Sequence, residues 1–174
     1  MAKNWSDDEN QTGRDPEEPL KLHLGCGDVH KEGYINIDIR ETDATDLTAD
    51  ICKPIPGIKL LTADRIEAYD VLEHLDQNDV LPALRLWVSY LKEGGTIVIR
   101  VPELRRILVA LGENKIPIQL AQWQIYGGQT NTYDYHKCGF DGSFLEGLLV
   151  ACGCSKVLQR FDEDDWNVTI VAEK

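Results

Sequence analysis

The 174-residue sequence is poor in basic residues, with 18 Lys and Arg against 30 Asp and Glu and a formal net charge of −12. This deficit argues against partners held mainly by phosphate charge, so duplex nucleic acid and anionic membrane surfaces are not expected as partners. The sequence also lacks internal repeats, an apolar signal segment after Met1, and any hydrophobic run long enough to cross a bilayer. We therefore expect a protein that does not insert into membranes.

Cysteine occurs only five times, an odd number at scattered positions. That pattern does not form a disulfide framework and is typical of a reducing compartment, so the sequence predicts a cytoplasmic protein. Cys138, Cys152 and Cys154, taken with a histidine at 136, match no common structural zinc spacing, and we interpret these cysteines as small buried side chains. The sequence accordingly predicts no metal site.

Apolar residues are sparse in the first 19 residues, which carry six acids. Such a segment cannot bury enough apolar area to offset the entropy of ordering it. We interpret residues 1–19 as a flexible acidic tail. Residues 20–174 are long enough for one hydrophobic core and are predicted to form one domain.

Short apolar runs alternate with helical patterns after the tail. Strands are predicted at Leu20–Leu24, Tyr34–Ile39, Arg65–Tyr69, Thr96–Val101, Lys156–Phe161 and Asn167–Ala172, the last two joined by an acidic turn at Asp162–Asp165. Helices are predicted at Gln77–Lys92, Glu103–Gly112, 117–126 and Ser143–Ala151, and residues 40–62 mainly as loop. This alternation favours an α/β sheet with helices on both faces, in which ligands bind beyond the carboxyl ends of the strands.

Two glycines, Gly25 and Gly27, directly follow the first predicted strand, where the missing side chains let a ligand approach the backbone. A plain strand-ending turn is the alternative. Asp38 ends the next predicted strand, and one carboxylate can accept hydrogen bonds from both hydroxyls of a ribose. The two features together favour an adenosine-type ligand. NAD fits less well, because His30 occupies the third glycine position of the dinucleotide fingerprint and Asp38 comes well before that motif's spacing of about 20 residues.

Successive segments of the chain resemble, in order and spacing, the motifs of class I S-adenosylmethionine-dependent methyltransferases. These segments are Leu22–Gly27, Gly33–Ile39, Asp64–Leu75 and Leu91–Pro102. The resemblance implies a Rossmann-like methyltransferase sheet, mostly parallel with an antiparallel last strand, and S-adenosyl-L-methionine as cofactor. Too few residues separate Gly27 from Gly33 for the usual first helix, which is expected to be shortened or absent. More narrowly, Gly33–Ile39 and Tyr126–Phe140 resemble a small predicted-methyltransferase subfamily associated with polysaccharide or glycosyl-transfer loci.

The resemblance also implies where the cofactor binds. The methionine part would lie along Gly25, Cys26 and Gly27, the ribose at Asp38, the adenine at Asp50 and Ile51, and the sulfonium beside Ala68 and Tyr69. Near the missing helix, the carboxylates of Asp28 and Glu32 can complement the positive sulfonium. The alternative is that both are ordinary turn residues.

Methyl transfer from a sulfonium is an in-line displacement, so alignment and exclusion of water suffice without a protein nucleophile. A hydroxyl acceptor requires a general base. His136 is the candidate base, because it lies in a polar, glycine-flanked segment and histidine titrates near neutral pH. Asp134 and either Tyr133 or Tyr135 are candidates to orient it or to contact substrate. His74 is a further candidate, and a structural hydrogen bond is the alternative role for both histidines.

Three residues are candidates for contacts with the acceptor. Arg105 and Arg106 form a basic cluster with Arg100 that can clamp a phosphate or carboxylate, and pairing with nearby acids is the alternative. Trp123 is a candidate cover for the pocket, with core packing as its alternative. The sequence thus predicts S-adenosylmethionine-dependent methyl transfer to a small-molecule or carbohydrate-linked acceptor. A non-catalytic binding or regulatory protein with this fold, or another adenosine-cofactor enzyme such as a reductase, is the alternative.

Overall fold

The computed structural model describes residues 18–161 and 166–174. Most of the predicted tail, residues 1–19, and the predicted turn Asp162–Asp165 lie outside the described residues. The strands are β1 (Lys21–Leu24), β2 (Ile35–Asp38), β3 (Leu47–Thr48), β4 (Ala63–Tyr69), β5 (Leu91–Pro102), β6 (Ser155–Phe161) and β7 (Asn167–Glu173). The helices are α1 (Gln77–Tyr90), α2 (Leu104–Gly112), α3 (Ile118–Tyr126) and α4 (Gly142–Ala151), with a 3₁₀ helix at Leu72–His74.

The strands form one seven-stranded sheet in the order β3-β2-β1-β4-β5-β7-β6. Every pair from β3 across to β5 is parallel, whereas β7 runs antiparallel to both β5 and β6. The prediction of an α/β sheet that is mostly parallel with an antiparallel last strand is confirmed. Crossovers place the carboxyl ends of β1, β2 and β4 at one edge, where the rule for open α/β sheets locates ligands.

The exact ends of several elements differ from the sequence prediction, and two differences affect the sheet: the added strand β3 and the start of β5 at Leu91 instead of Thr96. The segment 40–62 contains the short strand β3, which pairs with β2 through Ile37 and Leu47. The first long helix ends at Tyr90 instead of Lys92, because Leu91 adopts an extended conformation, is fully buried and pairs with Ala63 at the start of β4. The helix therefore ends where it does because Leu91 pairs with β4.

The link between β1 and β2, residues 25–34, contains no helix, as predicted. A polar network takes its place on the sheet face opposite the main core. Glu67 of β4, only 2% exposed, accepts a hydrogen bond from the Tyr34 hydroxyl (2.8 Å) and pairs with Lys31 and Arg65. Lys31 lies over the Tyr34 ring, 4.6 Å from its centroid. The loop is thus held on the sheet by charge and hydrogen bonds rather than by apolar packing.

Replacing Tyr34 by phenylalanine is expected to lower the free energy of unfolding by about 1.5–2 kcal/mol, because the buried Glu67 carboxylate loses a donor. Urea denaturation measures the change. Tyr126→Phe, at a tyrosine that is 56% exposed, is the matched control and should change stability little. Equal effects of the two substitutions would contradict this account of the loop.

The main core lies on the other face of the sheet, under α1 and α4. Its largest fully buried side chains are Trp87, Tyr90, Phe140, Leu22 and Leu24. The link from β3 to β4 also packs here without a helix: the Trp87 indole donates to the carbonyl of Ile51 (2.9 Å). A second, smaller cluster joins α2 to α3. In the described part of the chain, no helix combines the length and apolar character needed to cross a bilayer.

Candidate cofactor cleft and adjoining cavity

A cleft of about 550 Å³ opens at the carboxyl ends of β1, β2 and β4. Its wall is built from the loops that follow these strands, from the segment after β3, and from residues 130–134. Of the residues predicted to bind cofactor or to act in catalysis, it brings together Gly25, Gly27, Asp38, Asp50, Ile51, His74 and Asp134, with Asp28 and Tyr133 beside them. One cavity therefore collects side chains that are far apart in sequence.

Glycine is required at the turn after β1 for a steric reason. Gly25 has φ +65°, and a Cβ atom there would lie 2.2 Å from Cγ2 of Val71, which follows β4. Gly27 has φ +57°, and its N–H donates to Oδ2 of Asp38 (2.8 Å). The turn after β1 is thus packed against Val71 on one side and hydrogen-bonded to Asp38, the last residue of β2, on the other.

Asp38 is buried and organises this end of the cleft. Besides the bond from Gly27, its Oδ1 accepts from the N–H of Arg40 (2.8 Å), and the Arg40 guanidinium lies 3.5 Å away. A carboxylate has about four acceptor positions, so capacity remains for a hydroxyl donor from the cleft. Asp50, which also lines the cleft, is paired with Lys53 (2.9 Å), and this hydrogen bond lowers the pKa of the Asp50 carboxyl.

The cleft is strongly acidic. Its wall carries the cations Arg40 and Lys137 and a much larger set of carboxylates: Asp28, Asp38, Asp50, Asp70, Asp76, Asp79 and Asp134. Several of these are ion-paired, among them Asp70 with Arg100 and Asp76 with Lys137. The excess of acid nevertheless favours a ligand that carries positive charge and disfavours one that carries phosphates.

Other residues predicted to touch the cofactor do not line the cleft. Cys26 is buried, its thiol lies near the Thr45 hydroxyl, and burial raises the pKa of this thiol. Ala68 is fully buried in the core. The ring of Tyr69 lies on the polar sheet face, edge-on to His23 at 6.2 Å between centroids. The wall of the cleft instead begins at the next residue, Asp70.

A smaller cavity of about 230 Å³ adjoins the cleft, and Lys137 lines both. Its wall is mainly apolar, from Pro102, Leu104, Ile107 and Ile125. Its ionisable groups are Glu73, Tyr126, His136, Lys137 and Cys138. His136 and His74 lie in contact between the two cavities, with ring centroids 4.8 Å apart and an interplanar angle of 79°. The candidate base is therefore adjacent to the cleft but faces the smaller cavity.

Backbone hydrogen bonds bring these histidines together. The 3₁₀ helix carries Glu73 and His74, and the Glu73 carbonyl accepts from the N–H of Lys137 (2.8 Å). His74 Nδ1 lies 3.1 Å from the carbonyl of Tyr135, so the backbone of Tyr135, rather than its ring, orients this histidine. The Asp134 carboxylate accepts hydrogen bonds from the N–H and the hydroxyl of Thr130, and these bonds lower the pKa of the Asp134 carboxyl.

The candidate acceptor contacts lie outside both cavities. Arg105 is exposed and pairs with Asp141 at the start of α4. Arg106 lies over the rings of Phe161 and Trp166 and donates to the carbonyl of Asn167 (3.3 Å). Trp123 is 59% exposed on α3. Arg105 thus forms the ion pair that was its alternative role. Trp123 lies neither in the core nor in the wall of a cavity.

The residues at the site that were not selected from the sequence include Asp70, Val71 and Glu73. Asp70 and Val71 follow β4 directly, and their position after a predicted strand was a usable signal. Asp70 adopts φ +51°, a conformation that is uncommon outside glycine and that concentrates at functional sites. Glu73 lies among apolar residues with only 2% exposure, and burial raises the pKa of its carboxyl to about 8. No sequence pattern indicates that burial.

Comparison with solved structures identifies this fold as that of S-adenosylmethionine-dependent methyltransferases. One such enzyme from Archaeoglobus fulgidus has a TM-score of 0.64 and 16% identity, over 91% of this chain and 87% of that one. Human N-acetylserotonin methyltransferase in complex with S-adenosylmethionine has a TM-score of 0.59 and 15% sequence identity, over 95% of this chain and 50% of that one. An O-methyltransferase family protein from Burkholderia thailandensis has a TM-score of 0.61 and 11% sequence identity, over 91% of this chain and 51% of that one. This chain thus spans about half the length of the last two. No protein-family model and no curated protein sequence matches it.

Proposed function

We propose that the protein transfers a methyl group from S-adenosylmethionine to a hydroxyl of a small-molecule or carbohydrate-linked acceptor. The observation that carries this proposal is the acidic cleft at the carboxyl ends of β1, β2 and β4. S-adenosylmethionine has a positive sulfonium and a positive amino group against one carboxylate, so its net positive charge is attracted by the carboxylates of the cleft. A dinucleotide such as NAD brings two phosphates to the same place and would be repelled.

The residues of the cleft suit the parts of this cofactor. The Gly25 and Gly27 backbone lines the cleft without side chains, so the methionine part can approach it. Glycine is required at 25 because any side chain there would collide with Val71. Asp38 has acceptor capacity for ribose hydroxyls, and Asp50 and Ile51 line the part of the cleft that adenine would contact. Asp28 and Asp70 place negative charge in the same wall. When bound, the cofactor supplies a methyl group on a sulfonium that leaves readily.

The smaller cavity suits the acceptor. It adjoins the cleft, and its volume of about 230 Å³ admits a small molecule or one sugar unit of a larger one. A hydroxyl held there can reach His136. In the transfer, the sulfur–methyl bond breaks, an oxygen–methyl bond forms, and the hydroxyl proton passes to a base. The resemblance of Gly33–Ile39 and Tyr126–Phe140 to proteins of polysaccharide loci supports a carbohydrate-linked acceptor.

Thermal unfolding in the presence of candidate cofactors tests the proposal. S-adenosylmethionine and S-adenosylhomocysteine are expected to stabilise the protein, by about 2.7 kcal/mol at 100 times the dissociation constant, because they bind only the folded state. NAD serves as the control and is expected to have no effect. A shift with NAD alone would favour a reductase. Stabilisation by S-adenosylmethionine and S-adenosylhomocysteine, without turnover of the former on any hydroxyl acceptor, would favour a binding protein.

A further inference from the structure

Glu73, His74 and His136 form a cluster of potential metal ligands between the two cavities. One ligand atom from each residue lies within 4.8 Å of the others. Ligand atoms about 2.1 Å from a tetrahedral ion lie roughly 3.4 Å apart, so only a small side-chain movement would close the set around an ion. Among the described residues, this is the one group with such an arrangement.

Both imidazoles are oriented as metal-binding histidines are. His74 Nδ1 lies 3.1 Å from the Tyr135 carbonyl, and His136 Nδ1 lies 2.9 Å from the Gln124 carbonyl. A carbonyl can only accept, so each Nδ1 carries the proton and donates it. Each Nε2 is then left with a free lone pair. A backbone carbonyl behind the second ring nitrogen is the usual support of a histidine ligand.

The third member is a carboxylate with no partner. Glu73 is 2% exposed, and neither of its side-chain oxygens has a hydrogen-bond partner among the described residues. An isolated buried carboxyl of this kind is costly, because it has lost its hydration without receiving a donor. A cation between Glu73 and the two histidines would remove that cost.

The scaffold holds these ligands together although His136 is far from the other two in sequence. The Glu73 carbonyl accepts from the N–H of Lys137 (2.8 Å), the residue after His136. The N–H of His136 itself donates to the carbonyl of Tyr126 at the end of α3 (3.1 Å). The first bond ties the two segments to each other, and the second holds the His136 segment to α3, which is the preorganisation that a metal site requires.

We propose that Glu73, His74 and His136 bind one divalent transition-metal ion through a carboxylate oxygen and two Nε2 atoms. Two imidazoles and one carboxylate suit Zn²⁺ and the other late first-row ions, whereas Mg²⁺ and Ca²⁺ prefer ligand sets made of oxygen. Three protein ligands leave at least one coordination position open. The sequence did not predict this cluster, because an adjacent Glu-His pair combined with one distant histidine is not a recognised zinc-binding pattern.

The position of the ion gives it a role that rests on the proposed function. His74 lines the cofactor cleft, and Glu73 and His136 line the smaller cavity. An acceptor hydroxyl on the open coordination position would have its pKa lowered by the ion and would lose its proton more easily at neutral pH. His136 then acts as a ligand of the ion, and the hydroxyl proton passes to solvent.

Metal titration of the full chain, freed of ions with a chelator and without any affinity tag, tests the site directly. Zn²⁺ is expected to bind at one ion per chain in calorimetry. His74→Ala, His136→Ala and Glu73→Gln are each expected to weaken binding by more than the roughly 10- to 100-fold that loss of a supporting hydrogen bond costs. His30→Ala removes an exposed imidazole outside the cluster and is the matched control. Glu73→Gln keeps the volume of the side chain, so it serves if an alanine variant fails to fold.

The absorption spectrum of bound Co²⁺ distinguishes binding at this site from binding by cysteine thiolates. Nitrogen and oxygen ligands give no thiolate charge-transfer band, whereas binding through Cys138, close to Glu73, would give one. A thiolate band, absence of binding to the wild-type chain, or binding that all three cluster variants retain would each overturn the site.

Chelation of the active protein separates the role of the ion from the proposed function. We expect chelation to abolish methyl transfer and Zn²⁺ to restore it. Transfer that survives removal of the ion would overturn the role of the ion and leave the proposed methyl transfer intact. An ion bound by a protein that transfers no methyl group would overturn the proposed function and leave the site intact.

Discussion

Replacing His136 by alanine is expected to lower the rate of methyl transfer by about 10²- to 10⁴-fold and to leave the dissociation constant of S-adenosylmethionine unchanged. The reason is the position of the side chain: His136 lines the smaller cavity, where an acceptor would lie, and not the cofactor cleft. Its Nδ1 is committed to the Gln124 carbonyl, which leaves Nε2 as the atom that can act. The loss is expected whether Nε2 takes the hydroxyl proton or holds an ion.

The measurement is a single-turnover transfer of labelled methyl, with cofactor affinity determined by calorimetry on the same preparations. His30→Ala is the control, because this histidine is exposed and lies outside the wall of either cavity. A His136→Ala variant that transfers methyl at the wild-type rate would eliminate His136 as a catalytic residue. A variant that loses cofactor binding as well would show that the two cavities are not separate subsites.

Gly25→Ala is expected to lower the free energy of unfolding by about 2–5 kcal/mol and to weaken cofactor binding. The new Cβ atom would lie 2.2 Å from Cγ2 and 2.7 Å from Cβ of Val71, so Val71 or the turn must move. Overpacking of this kind costs about 1–3 kcal/mol, and a non-glycine residue in the left-handed region about 1–2 kcal/mol more. Because Val71 lines the cleft, its displacement also changes the space available to the cofactor.

Gly33→Ala separates the two causes. Gly33 lies in the same loop with φ +76°, but a Cβ atom there would meet nothing within 4 Å. Its substitution should therefore cost only the backbone part, about 1–2 kcal/mol, and leave cofactor affinity unchanged. Urea denaturation and calorimetry with S-adenosylhomocysteine measure both effects. If the two variants were equally stable and bound equally well, the contact between Gly25 and Val71 would not shape the cleft.

Much of the fold could be predicted because the local pattern and the tertiary role of each segment agree. Thr96–Val101, with its β-branched side chains, lies within the interior strand β5, which pairs with β4 on one side and β7 on the other. The links without helices were harder to anticipate. Only the count of residues between Gly27 and Gly33 indicated that the first helix is missing, and nothing in the sequence indicated that Lys31, Tyr34 and Glu67 form a polar network in its place.

The cleft was predictable where its residues directly follow a strand, as Gly25 does, or end one, as Asp38 does, since strand ends meet at one sheet edge. Tyr69 shows the limit of that rule. Its neighbour Ala68 faces the core, so alternation along β4 turns the Tyr69 ring to the polar face beside His23. The meeting of His74 with His136 was beyond sequence reasoning, because main-chain hydrogen bonds between a 3₁₀ helix and a distant loop produce it.

The central claim is that the acidic cleft at the ends of β1, β2 and β4 holds S-adenosylmethionine. A crystal structure of the full chain with S-adenosylhomocysteine tests it most directly. The predicted result is one ligand in this cleft, with its ribose hydroxyls at Asp38, its adenine beside Asp50 and Ile51, and its sulfur near the His74 side of the cavity wall. A cleft without ligand at saturating concentration, or a ligand bound elsewhere on the protein, would contradict the account.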